Sequence, residues 1–62
     1  MTLGERIFNY RVKHNIAQRT MDKLLNEPVN TTYRIESGKH NPIKIRQARI
    51  SRKMDELESE DQ

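Results

Sequence analysis

Sixty-two residues without a single cysteine make one small domain at most, with no disulfide or zinc cluster to staple it. Hydrophobic residues supply 32% and charged residues 34%, so the core is marginal and oligomerisation or a partner is the expected source of further stability. The net charge of +3 hides an asymmetry: residues 1–53 set twelve Lys and Arg against four acids, +8, whereas residues 54–62 hold five acids and no base, −5. A basic body of this kind suits a polyanion.

Thr2-Leu-Gly-Glu5 has capping-box spacing and starts a first helix at Leu3. Leu3, Ile7 and Tyr10 share one face of it, Arg11 stands at the edge, and His14-Asn15 ends it. Ile16 steps into a second helix from Gln18 to Leu25, which buries Met21, Leu24 and Leu25 but has only Ala17 where an N-cap belongs. A third helix is expected to start near Pro28, where a missing N–H costs nothing, and to end at Glu36-Ser37 with Gly38 as the left-handed residue beyond it. Asn41-Pro42 reads as the cap and first position of a fourth helix. Its narrow apolar stripe, Ile43, Ile50, Met54 and Leu57, predicts one continuous helix from Ile43 to about Glu58, with residues 59–62 as an acidic tail. The expected fold is all-α, a small bundle of about four helices forming one domain over residues 1–58.

Catalysis has no support in this chain. His14 and His40 lie in separate turns without a nucleophile or carboxylate arrangement, and no Gly-rich phosphate loop is present. No enzyme activity, cofactor or metal is therefore expected. Asn30-Thr31-Thr32 matches a glycosylation sequon, but no signal-peptide pattern gives it meaning. No run approaches the ~18 apolar residues of a membrane span. A soluble cytoplasmic protein is the expectation.

The stretch Gln18–Pro42, QRTMDKLLNEPVNTTYRIESGKHNP, reads as helix, tight turn, helix and a Gly-punctuated exit. With the preceding LGERIFNYRVKHNIA it resembles the helix-turn-helix domain of the Cro/CI (lambda-repressor-like) family, without a gap from Leu3 to Pro42, about two thirds of the chain. The resemblance implies a sequence-specific, double-stranded DNA-binding transcriptional regulator of the phage-repressor or Cro type. It further implies a homodimer on a near-palindromic site, with half-sites ~34 Å apart. Base reading would fall to Val29, Asn30 and Tyr33, with Thr31 and Arg34 alongside. Asn can bond adenine in a bidentate manner, and a Val or Thr methyl can touch the thymine methyl. Tyr33 would contact a phosphate or sugar, and Arg34 would clamp the backbone or swing to a guanine. Gln18 matches the glutamine that donates to a phosphate and buttresses the third helix. Lys39, His40 and Asn41 fall in the loop that meets the DNA backbone at the other side of the half-site. Arg11 and Glu36 occupy positions that pair as a largely buried ion pair in that family.

Four positions depart from the family pattern: Asp22, Glu27, Pro28 and Thr32 stand where it keeps core or capping residues. One unpaired buried carboxylate would cost several kcal/mol, against ~5 or less for the whole of so small a core. Either the second and third helices sit further apart and leave Asp22 and Glu27 hydrated at the rim, or Val29 or Pro28 plugs the turn after a register shift, or the unit is reshaped for another partner; the first two together are favoured. Phe8 and Val12, one turn apart and off the core face of the first helix, either pack under the last helix or form an exposed apolar strip for a second subunit or another protein. Ile45 could join that surface. The alternative function is a protein-interaction module on a degenerate helix-turn-helix scaffold, which modulates a partner repressor or other protein. The acidic end is either a solubilising tail or a competitor for the phosphates the body attracts.

Overall fold

The computed structural model describes residues 1–39 and 41–60. Four helices follow in chain order, α1 (Leu3–His14), α2 (Gln18–Leu24), α3 (Thr31–Ser37) and α4 (Lys44–Glu60). The described residues contain no strand. The radius of gyration is 10.5 Å, close to the ~10.6 Å of a fully compact chain of this length. No helix among the described residues is long and apolar enough to cross a membrane.

The capping box at the start of α1 is complete. Glu5 N–H donates to Thr2 Oγ1 at 3.1 Å, and Thr2 N–H donates to Glu5 Oε1 at 3.0 Å. These bonds, that from the Thr2 backbone above all, hold the Glu5 carboxyl below its ordinary range. Asn15 ends α1 in the left-handed conformation, as Gly38 ends α3. Where α1 begins it passes very close to the end of α3: a Cβ on Gly4 would stand 2.7 Å from the Ile35 carbonyl oxygen. Only glycine allows that approach.

The core comprises Ile7, Met21, Leu25, Ile35, Ile50, Met54 and Leu57, with Leu3, Tyr10, Ile16 and Leu24 packed against it. Ile43, expected in this stripe, is 67% exposed. The reason lies in how α4 starts. Gln47 N–H donates to the Ile43 carbonyl at 2.9 Å, which makes Ile43 the cap, and the Gln47 side chain donates to the Pro42 carbonyl at 2.6 Å. Pro42 thus lies outside the helix, and it is the proline rather than the isoleucine that is buried. At its other end α4 runs through Ser59 and Glu60, past the expected boundary. The acidic end is partly fastened: Arg6 of α1 bonds both Asp55 and Glu58. Asp61 and Gln62 of the expected tail lie outside the described residues.

The largest departure from expectation is the link between α2 and α3. The chain takes left-handed turns at Asn26 and Asn30, so α3 starts at Thr31 and not near Pro28. Pro28 and Val29 are both exposed, and neither plugs the turn. Nor are Asp22 and Glu27 hydrated at a rim. Asp22 is only 2% exposed and accepts from two backbone amides of the α3 start, whereas the Glu27 side chain, 3% exposed, pairs with Arg46 of α4. Both carboxylates are inside because both have partners.

Thr32 has no such compensation. It is fully buried, and its hydroxyl has no hydrogen-bond partner. A buried polar group left unmade costs about 1–3 kcal/mol. Thr32→Val, which keeps the branched shape and removes the orphan, is expected to raise the thermal midpoint by about 5 °C, the shift that ~1 kcal/mol gives a domain of this size. A calorimetric or circular-dichroism melt with an unchanged or lower midpoint would mean that the hydroxyl finds a partner in solution.

Candidate functional site

α3 carries Thr31, Tyr33 and Arg34 of the expected site, with Asn30 at its cap, and it is held at both ends by carboxylates. At its start the first amides have no partner within the helix. Asn30, in the cap position, makes no side-chain cap bond. Asp22, reaching across from α2, fills the gap: Asn30 N–H donates to its Oδ2 at 2.9 Å and Thr32 N–H to its Oδ1 at 2.7 Å. At the far end Glu36 meets Arg11 of α1. Arg11 Nε donates to Glu36 Oε2 at 2.8 Å and Nη2 to Oε1 at 2.9 Å, a two-pronged pair with both side chains largely buried. The Arg11 guanidinium is pushed up from its already high pKa, first by the hydrogen bonds it donates to Glu36. Arg11 Nη1 also donates to the Ile16 carbonyl at 2.9 Å, which ties the α1–α2 link into the same cluster.

Gln18 adds a third bond there, its Nε2 donating to Glu36 Oε1 at 3.2 Å. This glutamine therefore buttresses α3 through Glu36. It also borders a groove of about 970 Å³ between the start of α1 and the end of α3, shared with Tyr33, Asn41, Phe8 and Gly4. Val29, Asn30, Arg34 and Lys39 are exposed but stand outside that groove. Thr31 does not reach the surface as expected. It is buried, with its N–H on the Pro28 carbonyl and its flank on a small cleft with Ile35, Pro42 and Arg46. His40 lies outside the described residues.

Phe8, Val12 and Ile45 are all exposed, so packing of the first two under α4 does not occur. Phe8 borders the α1–α3 groove, with the Arg11 guanidinium carbon 5.6 Å from its ring centroid. Ile45 precedes the buried Ile50 and Met54 by five and nine residues, which at ~100° per residue puts it on the opposite side of α4. It does not border the α1–α3 groove that Phe8 lines.

The electrostatic result follows from this packing. Between residues 17 and 39 the acids are Asp22, Glu27 and Glu36, and each is turned inward onto a partner. The bases Arg19, Lys23, Arg34 and Lys39 are exposed, and among the described residues none of them forms an ion pair. The outward charge of this half is therefore cationic. Sequence reasoning missed Asp22, Arg46 and Gly4 as determinants of the site. Only Asp22 left a signal: a carboxylate at a core position needs buried donors, and the first amides of a helix are donors without partners of their own. No protein-family model matches the chain, and no curated protein or solved structure matches it either.

Proposed function

We propose that the chain is a cytoplasmic regulator that binds double-stranded DNA sequence-specifically as a homodimer and acts by occluding its site. One observation carries the reading. The internalised acids leave Arg19, Lys23, Arg34 and Lys39 exposed and without an ion pair among the described residues, in the same stretch of chain as the exposed hydrogen-bonding side chains of Asn30 and Tyr33. Cations supply affinity for phosphates, and the Asn amide and Val29 methyls supply groups that can discriminate base edges. Arg34 and Lys39 are the backbone clamps in this scheme, Gln18 and Asn41 the groove-side contacts.

Counterion release gives the test. With about four phosphates neutralised, affinity for a random duplex should fall on the order of 10²-fold between 50 and 200 mM salt. Fluorescence-anisotropy titration at the two salt concentrations measures it. Binding that ignores salt, or no binding by a folded protein, rejects the reading. The second reading, a protein-interaction module, draws on the exposed Phe8 and Val12. An apolar interface of that kind would hold its affinity across the same salt range.

A further inference from the structure

We infer that Asp22 sets where α3 presents its outward side chains, so that a buried residue which touches no DNA determines base selectivity; the inference rests on the DNA-binding reading above. α3 is only seven residues long, so the bonds at its ends are a large share of what orients it. Asn30 stands in the cap position, but it is left-handed at φ 75° and its side chain makes no cap hydrogen bond. The two Asp22 oxygens engage amides two residues apart, at 2.9 and 2.7 Å. Two such bonds fix both the distance of the α3 start from α2 and its rotation about the helix axis. Val29, Asn30, Tyr33 and Arg34 all lie within one turn of these two amides. Recognition groups must be held to about 0.5 Å of their working position to discriminate. The latch lies where that tolerance is decided.

The carboxylate has an electrostatic consequence as well. A free helix N-terminus attracts a phosphate through its amides and dipole. Here that place is taken by an anion of the protein itself. Phosphates are left to Arg34, Lys39 and the α2 cations, and α3 is held in register by α2 rather than by the DNA backbone. Loss of the latch would free α3 to settle on phosphates in several registers, keeping affinity while losing discrimination.

The first measurement is amide hydrogen exchange on the wild-type chain. Asn30 and Thr32 N–H are expected to be protected like the interior α3 amide of Ile35; exchange at the rate of open amides would overturn the latch. The second compares Asp22→Asn, which puts a donor against one of the two amides, and Asp22→Ser, which keeps one acceptor. The probes are a random 20-base-pair duplex and a 20-base-pair duplex recovered by selection with the wild type. Folded D22N is expected to bind the random duplex within about threefold of wild type but to lose about tenfold in preference, the discrimination carried by one base pair. D22S should fall between the two. Wild-type preference in a folded variant would reduce Asp22 to a residue of the fold, as would failure of both variants to fold. A wild type that has no preference to lose defeats the DNA-binding reading itself, a result distinct from a preference that survives in D22N.

Discussion

Arg11→Ala is expected to leave the chain largely unfolded at room temperature. The substitution removes both prongs of the bond to Glu36 and the bond to the Ile16 carbonyl. Glu36 would then be a carboxylate at 9% side-chain exposure, with only the Gln18 amide at 3.2 Å for company. Breaking a buried pair by removing one partner costs about 3–5 kcal/mol. A core of this size rarely supplies more than about 3–5 kcal/mol in all. A far-ultraviolet circular-dichroism melt checks it: loss of the folded baseline at 25 °C is the expected result, and a melt within ~1 kcal/mol of wild type would show the pair to be solvated. The paired substitution Arg11→Met with Glu36→Leu sharpens the test. It leaves no orphan charge and should recover most of the loss, because the cost lies in the unpaired carboxylate rather than in the absent bridge.

The pair also marks how far the chain can be read without coordinates. Features written in a few consecutive residues were legible: the Thr2–Glu5 capping box, the left-handed Gly38 and a last helix without interruption. Each depends on local geometry that three or four side chains determine. The Arg11–Glu36 contact spans 25 positions, and nothing in composition or spacing announces it; it entered the reading through a resemblance. The start of α3 was misplaced for a related reason. Proline is acceptable in a first helical turn, so Pro28 looked like one, but Asn26 and Asn30 take the left-handed turns that postpone the helix to Thr31. Both asparagines tolerate that conformation, and neither advertises it. At α4 the same kind of error arose from Pro42, whose carbonyl is held by Gln47 five residues on.

Asp22 and Glu27 were the hardest positions, because a carboxylate in a core position is read as either a fault or a surface residue unless its partner is known. Both partners lie on other elements, the α3 amides for Asp22 and Arg46 for Glu27. Once paired, the two acids stop being a conflict and become fasteners: α2 to α3, and the α2–α3 link to α4. The same inward turn strips negative charge from the surface around α3. Stability and the proposed polyanion affinity thus have a common origin in where three carboxylates point.

The Glu27–Arg46 pair should therefore respond asymmetrically to substitution. Arg46 keeps 35% of its side chain in contact with water, whereas Glu27 keeps 3%. Glu27→Leu leaves an arginine that can swing outward and hydrate, and it places an apolar side chain where the core can use one. The expected result is a change within about 1 kcal/mol of wild type, or a gain, as apolar replacements of buried ions often give. Arg46→Ala leaves the carboxylate behind with nowhere to go, and the expected loss is about 3 kcal/mol or more. Urea denaturation at neutral pH measures both, and the difference between the two midpoints is the informative quantity. Equal losses would mean that Glu27 reaches water when its partner is gone. In that case the link between α2 and α3 opens more readily than its packing suggests, and α4 contributes little to holding the candidate reading surface in place.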